Sequence, residues 1–239
     1  MAASGRAIER VSLGGLLPPL GCSLTGAKAT DWEDLALGPG PTAGESYLYV
    51  GDIGDHGTSR DDVRVYRVAE PKTDPAAFFG TSTLTGVERF IFVYPDKAHN
   101  AETLLVDPLT GDLYIVVKAG RGGSPVFRAK APLSSNGKTT LELVTTLAFG
   151  EAPLAGDTTT TGGDLSPARD QLTVRTYKSA FAWRRAPGAT LDEALATPPC
   201  TIPTSAGGQG ETLGFAADGK GYYSLNEGTF QPLKFYAEK

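Results

Sequence analysis

The feature that most constrains this chain is a unit that recurs four times: an acid, a small or apolar run, a Gly or Pro turn, and an aromatic or aliphatic strand. It is clearest at Thr30-Asp31-Trp32-Glu33-Asp34-Leu35-Ala36-Leu37. Degraded copies follow at His99-Asn100-Ala101-Glu102-Thr103-Leu104-Leu105-Val106, Thr161-Gly162-Gly163-Asp164-Leu165-Ser166 and Gln209-Gly210-Glu211-Thr212-Leu213-Gly214-Phe215. The acids Glu33, Glu102, Asp164 and Glu211 are separated by 69, 62 and 47 residues, near or above the roughly 40–50 residues of a repeated four-stranded unit. Constant internal order with variable length predicts equivalent sheets carrying different loop insertions.

Period-2 alternation and turn residues divide each unit into strands. The first unit is expected at residues 32–37, 47–50, 63–68 and 89–94, and the second at 102–106, 113–117, 126–129 and 141–147. The third takes 163–165, 172–176, 180–184 and a Pro-rich segment near Cys200; the fourth takes 211–215, 222–225 and 233–236, one strand short. Thirty glycines and seventeen prolines suit such a turn-rich chain, and 239 residues at 40% hydrophobic can bury one substantial core. The expected fold is an all-β β-propeller of four-stranded antiparallel blades, one domain over residues 1–239. Residues 1–24 are atypical; 10–13 or 22–24 are candidates for an outer strand that closes the ring and removes an edge.

Composition excludes several classes. A net charge of −5 without a Lys/Arg run argues against nucleic-acid binding, and no apolar run reaches the roughly 20 residues that span a bilayer. Cys22 and Cys200 are two free thiols or one bridge, not a metal-finger spacing. Arg6 and Arg10 before residues 11–22 imitate a secretion signal, but Glu9, Pro18 and Pro19 interrupt it.

The runs Thr30-Asp31-Trp32-Glu33-Asp34-Leu35-Ala36, Tyr47-Leu48-Tyr49-Val50-Gly51-Asp52-Ile53-Gly54-Asp55 and His99-Asn100-Ala101-Glu102, with Thr110-Gly111-Asp112-Leu113-Tyr114-Ile115-Val116, resemble a poorly characterised group of bacterial β-propeller proteins. The group is more distantly similar to calcium-dependent propeller hydrolases such as gluconolactonase, paraoxonase and diisopropylfluorophosphatase, and to β-propeller phytases. Its members carry a further N-terminal blade with an Asn-Asp-Ser-Gly-Asp-like loop, to which nothing in residues 1–24 corresponds. Four blades, a truncated five, or a ring completed by a second copy are the forms to test, and a homodimer is expected of an open ring. The resemblance also implies export to the periplasm.

First strands line a propeller channel, so Glu33, Glu102, Asp164 and Glu211 are expected to face one another at one mouth. Like charges at close range require protons or a cation. A divalent metal held by Glu33, Asn100, Glu102, Asp164 and Glu211 is therefore expected, Ca²⁺ by resemblance, with Zn²⁺ or Mn²⁺ admitted by His99 beside the second acid. Each acid could instead cap backbone N–H groups at a strand start. Asp52, Lys118, Arg175, Tyr177, Asn226 and Glu227 follow the second strands and are expected to rim the same mouth. Catalytic duties fall to His56 and His99 for protons and to Lys118 and Arg175 for developing negative charge. No Gly-x-Ser-x-Gly elbow supports a serine hydrolase. The expected activity is metal-dependent hydrolysis of phosphoesters, phosphotriesters or lactones; the competing reading is a non-enzymatic module that binds carbohydrate, peptide or protein.

Overall fold

The computed structural model describes residues 6–9, 21–72, 81–120, 123–150, 157–205 and 207–238. Strands β1 (Arg6–Glu9) and β2 (Gly21–Leu24) precede the first blade. That blade is built from β3 (Asp34–Pro39), β4 (Ser46–Asp52), β5 (Val63–Ala69) and β7 (Glu88–Val93), with β6 (Thr81–Leu84) in the excursion between the last two. The second blade comprises β8 (Ala101–Val106), β9 (Leu113–Val117), β10 (Ser124–Ala129) and β12 (Glu142–Leu147). The third comprises β13 (Thr160–Leu165), β14 (Gln171–Thr176), β15 (Ala180–Arg184) and β16 (Cys200–Ile202), with helix α1 (Leu191–Leu195) before its last strand. The fourth has three strands among the described residues, β17 (Gly210–Phe215), β18 (Gly221–Asn226) and β19 (Lys234–Ala237). The molecule is thus an all-β, four-bladed propeller arrangement, as the repeats predict.

Two short strands depart from that expectation. β11 (Lys138–Thr140), from the loop before β12, pairs in parallel with β7 and gives the first blade a fifth strand. β2 pairs antiparallel with β1 and in parallel with β6, making a separate small sheet. Residues 22–24 therefore do not close the fourth blade, because the excursion strand β6 satisfies their backbone; residues 10–13 lie outside the described residues. Leu24 of this sheet packs with Leu48, Val50, Tyr66 and Val68 of the first blade.

The recurrent turn has a recurrent geometry. In the second, third and fourth blades the N–H groups of Asp107, Ser166 and Ala216 donate to the carbonyls of Asp112, Gln171 and Gly221 at 2.8, 2.9 and 2.8 Å. Gly111 closes the first of these turns at φ +79°, where a side chain would be strained.

The inner strands adjoin in chain order, β3 beside β8, β8 beside β13 and β13 beside β17. The seam between the first two blades is apolar, with Tyr49, Ile53, Phe90 and Phe92 packed against Leu104, Val106, Ile115 and Phe127. The next is also apolar, joining Leu105, Tyr114 and Val116 to Leu172, Val174 and Trp183. β-branched and aromatic residues dominate both because they fill a pleated, two-sided surface. The seam between the third and fourth blades is polar. Buried Arg175 donates there to the Thr212 carbonyl at 3.3 Å, to Asn226 Oδ1 at 2.8 Å and to Ser224 Oγ. Cys22 and Cys200 are both free thiols, and among the described residues no helix is long and apolar enough to cross a membrane.

Candidate functional site

Strand register identifies the equivalent positions. Leu37, Val106, Leu165 and Phe215 oppose Leu48, Leu113, Leu172 and Tyr222. Four residues earlier stand Glu33, just before its strand, and Glu102, Thr161 and Glu211 near the start of theirs. In the last three blades a β-bulge falls at this position, between Ala101 and Thr103, Thr160 and Gly162, and Gly210 and Thr212. A bulge bends the strand and re-aims the extra residue, which is why these side chains leave the strand alternation. The third member is Thr161, whose hydroxyl donates to the Gly210 carbonyl at 2.5 Å.

Asp164 therefore does not join the acids. Its carboxylate accepts the N–H groups of Leu165 and Phe215, both within 2.8 Å, and it lines a cleft of about 600 Å³ with Leu37, Pro39, Pro108, Arg169 and Phe215 at the turn end of the channel. Burial raises its pKa to about 6 against these two bonds. Asp34, which the repeat did not single out, does the same between other blades. It accepts the N–H groups of Leu35 and Leu104 at 2.8 Å, and burial pushes it up to about 8.

At the bulge end, Glu102 holds the ammonium of Lys118 in a short ion pair, and the same nitrogen donates to the Tyr177 hydroxyl at 2.6 Å. Lys118, Tyr177 and Glu227 each lie one residue beyond the end of successive second strands. Their N–H groups donate to the carbonyls of Asn100, Thr159 and Gln209 at 2.9, 3.3 and 2.8 Å. Glu33 packs with Asp31 against Gly54, where a Cβ would lie 2.4 Å from Glu33 Oε1. The Asp31 loop is fixed by buried Asp52, which accepts the Asp31 N–H at 2.8 Å and pairs with Arg60 at 3.2 Å.

The electrostatics follow from this crowding. Burial, then Glu102 and Asp31, push Glu33 up to about 8. Burial, then Glu102, push Glu211 up to about 7, with Lys118 and Arg175 pulling the other way. Burial also raises Glu102, while Lys118 opposes it. Burial works against the charge of Lys118, yet the hydrogen bonds to Glu102 and Tyr177 hold it well above its usual range. The folded state thus keeps protons on Glu33 and Glu211 that the unfolded chain releases above about 4.5. Stability should fall as pH rises from about 4.5 and level off past about 8. Glu33→Gln, which removes one such proton, should flatten that slope in thermal melts taken across the range.

The remaining predicted residues are placed elsewhere. Asn100 Oδ1 accepts the Asp55 N–H at 2.6 Å and braces two blades. His99 joins Tyr94 and Phe127 in a cluster of three rings, edge-on to Tyr94 and tilted against Phe127 at centroid distances of 4.8 and 5.2 Å, with Nε2 3.0 Å from Asp96. His56 is exposed on a loop. Arg175 is wholly buried, and a Cβ on Gly210 would lie 1.7 Å from its guanidinium; it is a bracket between blades. The residues present do not fit the expected metal. Asn100 and Asp164 are committed to backbone amides, Lys118 already neutralises Glu102, and among the described residues no three His, Cys, Asp or Glu side chains are gathered to hold an ion.

No protein-family model and no curated protein matches the sequence. Among solved structures the chain is similar to the periplasmic gluconolactonase of Pseudomonas aeruginosa, at 15% identity and a TM-score of 0.47 over 84% of this chain and 55% of that one. It is also similar to a protein assigned as a 6-phosphogluconolactonase from Bacteroides uniformis, at 12% identity and a TM-score of 0.45 over 93% of this chain and 71% of the other. A chain of the polycomb repressive complex 2 of Chaetomium thermophilum matches at 15% identity and a TM-score of 0.47 over 85% of this chain and 36% of that one. The chain spans about half the length of the gluconolactonase.

Proposed function

We propose that the bulge-end mouth is a hydrolytic site for lactones and related esters, phosphotriesters included. The observation that carries this reading is the pair of carboxyls raised to about 8 and about 7 beside one fixed ammonium and one phenol. Two carboxyls pushed to different values near neutrality divide acid from base duty. Glu211, which the neighbouring Lys118 and Arg175 both draw toward its ionised form, takes a proton from water as the water oxygen attacks the acyl carbon. Lys118 and Tyr177 donate to the oxyanion that develops. Glu33 gives its proton to the departing alkoxide, the ring-opened acid leaves, and a proton passes from Glu211 back to Glu33.

This scheme predicts a bell-shaped rate profile on a panel of chromogenic lactones, esters and triesters. The acid limb lies near 7 and the alkaline limb near 8. Because no step runs through a metal, chelator leaves the rate unchanged. Absence of turnover across the panel would leave the mouth a binding surface for carbohydrate, peptide or protein.

A further inference from the structure

We propose that two copies of the chain associate through the outer edge of the fourth blade, β19 of one pairing antiparallel with β19 of the other about a two-fold axis at Tyr236. An unpaired strand edge is a template for another strand, and the blades differ in how they treat theirs. In the first, β7 is continued by β11. In the second, β12 carries a β-bulge in its pairing with β10 and has helix α1 beside it. In the third, β16 is three residues long. β19 pairs with β18 in unbroken register from Lys234 to Ala237 and, among the described residues, has no strand on its other side.

The hydrogen bonds decide what that edge offers. The Glu238 N–H donates to the Lys220 carbonyl at 2.9 Å, and Tyr236 and Lys234 oppose Tyr222 and Ser224 at the same period of two, so these three residues turn their backbone groups inward to β18. Phe235 and Ala237 turn theirs outward. A second β19 laid antiparallel, with Tyr236 opposite the partner's Tyr236, sets Phe235 opposite the partner's Ala237, where the two residues exchange both backbone bonds. The same register sets Lys234 opposite the partner's Glu238 at each end of the join. Glu238 Oε1 accepts from Gln171 Nε2 at 2.9 Å, leaving Oε2 for the ammonium. A slip of two residues either way would part Lys234 from the partner's Glu238. The strand is thus its own complement in backbone pattern and in charge, which makes a second copy its occupant, and the contact is isologous. Both faces of the joined sheet are aromatic: Tyr236 stacks on Tyr222 at 5.3 Å, while Phe235, 48% exposed, lies 5.0 Å from Tyr223, which is 40% exposed.

The test is solution mass by light scattering over a range of concentrations, with two charge reversals. The wild-type chain should give a species of two copies. Lys234→Glu and Glu238→Lys should each weaken association about tenfold or more, since each sets like charges opposite one another at both ends of the join, while melting at high dilution stays near that of the wild type. Mixing the two variants should restore association, because each reversed charge then meets its opposite. A second measurement does not depend on those variants: with Cys22 and Cys200 replaced by Ser, Tyr236→Cys protein is incubated with oxidised glutathione. Residues opposed at a non-hydrogen-bonded position have Cα atoms about 4.5 Å apart, within reach of a disulfide, so a cross-linked dimer is expected. Lys234→Cys in the same background, opposite the partner's Glu238, should cross-link far less. A one-copy mass at every concentration, a dimer that neither reversal weakens, a mixture that does not recover, or Tyr236→Cys cross-linking no better than Lys234→Cys would overturn the proposal.

Discussion

Replacing Arg185 by Met is expected to destabilise the fold by about 3–5 kcal/mol, read as a lower urea midpoint and a melting temperature reduced by on the order of 10 °C. Arg185 Nη1 and Nη2 meet Asp107 Oδ1 and Oδ2 at 2.8 and 3.0 Å, and Nε donates to the Ala189 carbonyl at 2.7 Å. The two side chains are 4% and 1% exposed. Asp107 also accepts the Leu109 N–H at 3.0 Å and the Thr110 hydroxyl at 3.2 Å, so it organises its turn while joining the second blade to the third. Removing Arg185 leaves a carboxylate buried without its counter-charge, and that uncompensated charge accounts for most of the loss. Adding Asp107→Asn to Arg185→Met should therefore recover part of it. A double variant no more stable than Arg185→Met alone would show that the packing of the guanidinium matters more than its charge.

That bridge also marks where the sequence stops being legible. The Asp107-Pro108 turn and the β9 strand after it are local patterns, and both appear where alternation and turn chemistry put them. The partner of Asp107 lies 78 residues away at a strand end with no local signature. The same division explains the site. Glu33, Glu102 and Glu211 are readable because each is an acid at the head of a repeat. Thr161 is not, since the ring position in the third blade is not acidic. Asp164 takes its place in a sequence comparison because bulges put the functional residue out of step with the alternation from which a strand is counted. Lys118 and Tyr177 were legible as rim residues, but their contact with each other depends on how the second and third blades pack. β6 and β11, only four and three residues long, pair with partners their own composition does not specify. The polar seam was hidden for a different reason: Arg175 needs a glycine at position 210, and a glycine in a turn-rich chain does not announce what it leaves room for.

For the proposed hydrolysis, Lys118→Met is expected to lower the rate by about 10²- to 10³-fold, the loss typical of one preorganised oxyanion donor, and to move the pH–rate profile upward. The direction follows from the neighbours. Lys118 opposes the rise in Glu33, in Glu102 and in Glu211, so without it all three carboxyls hold protons to higher pH. The base limb near 7 should climb with Glu211, and the alkaline limb should follow with Glu33. Lys118→Arg separates charge from position. It retains the cation, so the profile should stay close to that of the wild type, whereas a planar guanidinium cannot reproduce an ammonium shared between Glu102 and the Tyr177 hydroxyl, and the rate should remain depressed. A purely structural lysine would behave otherwise. Its loss would lower the melting temperature and the amount of active protein, and move the limbs through its charge alone, yet leave the maximal rate per folded molecule close to that of the wild type.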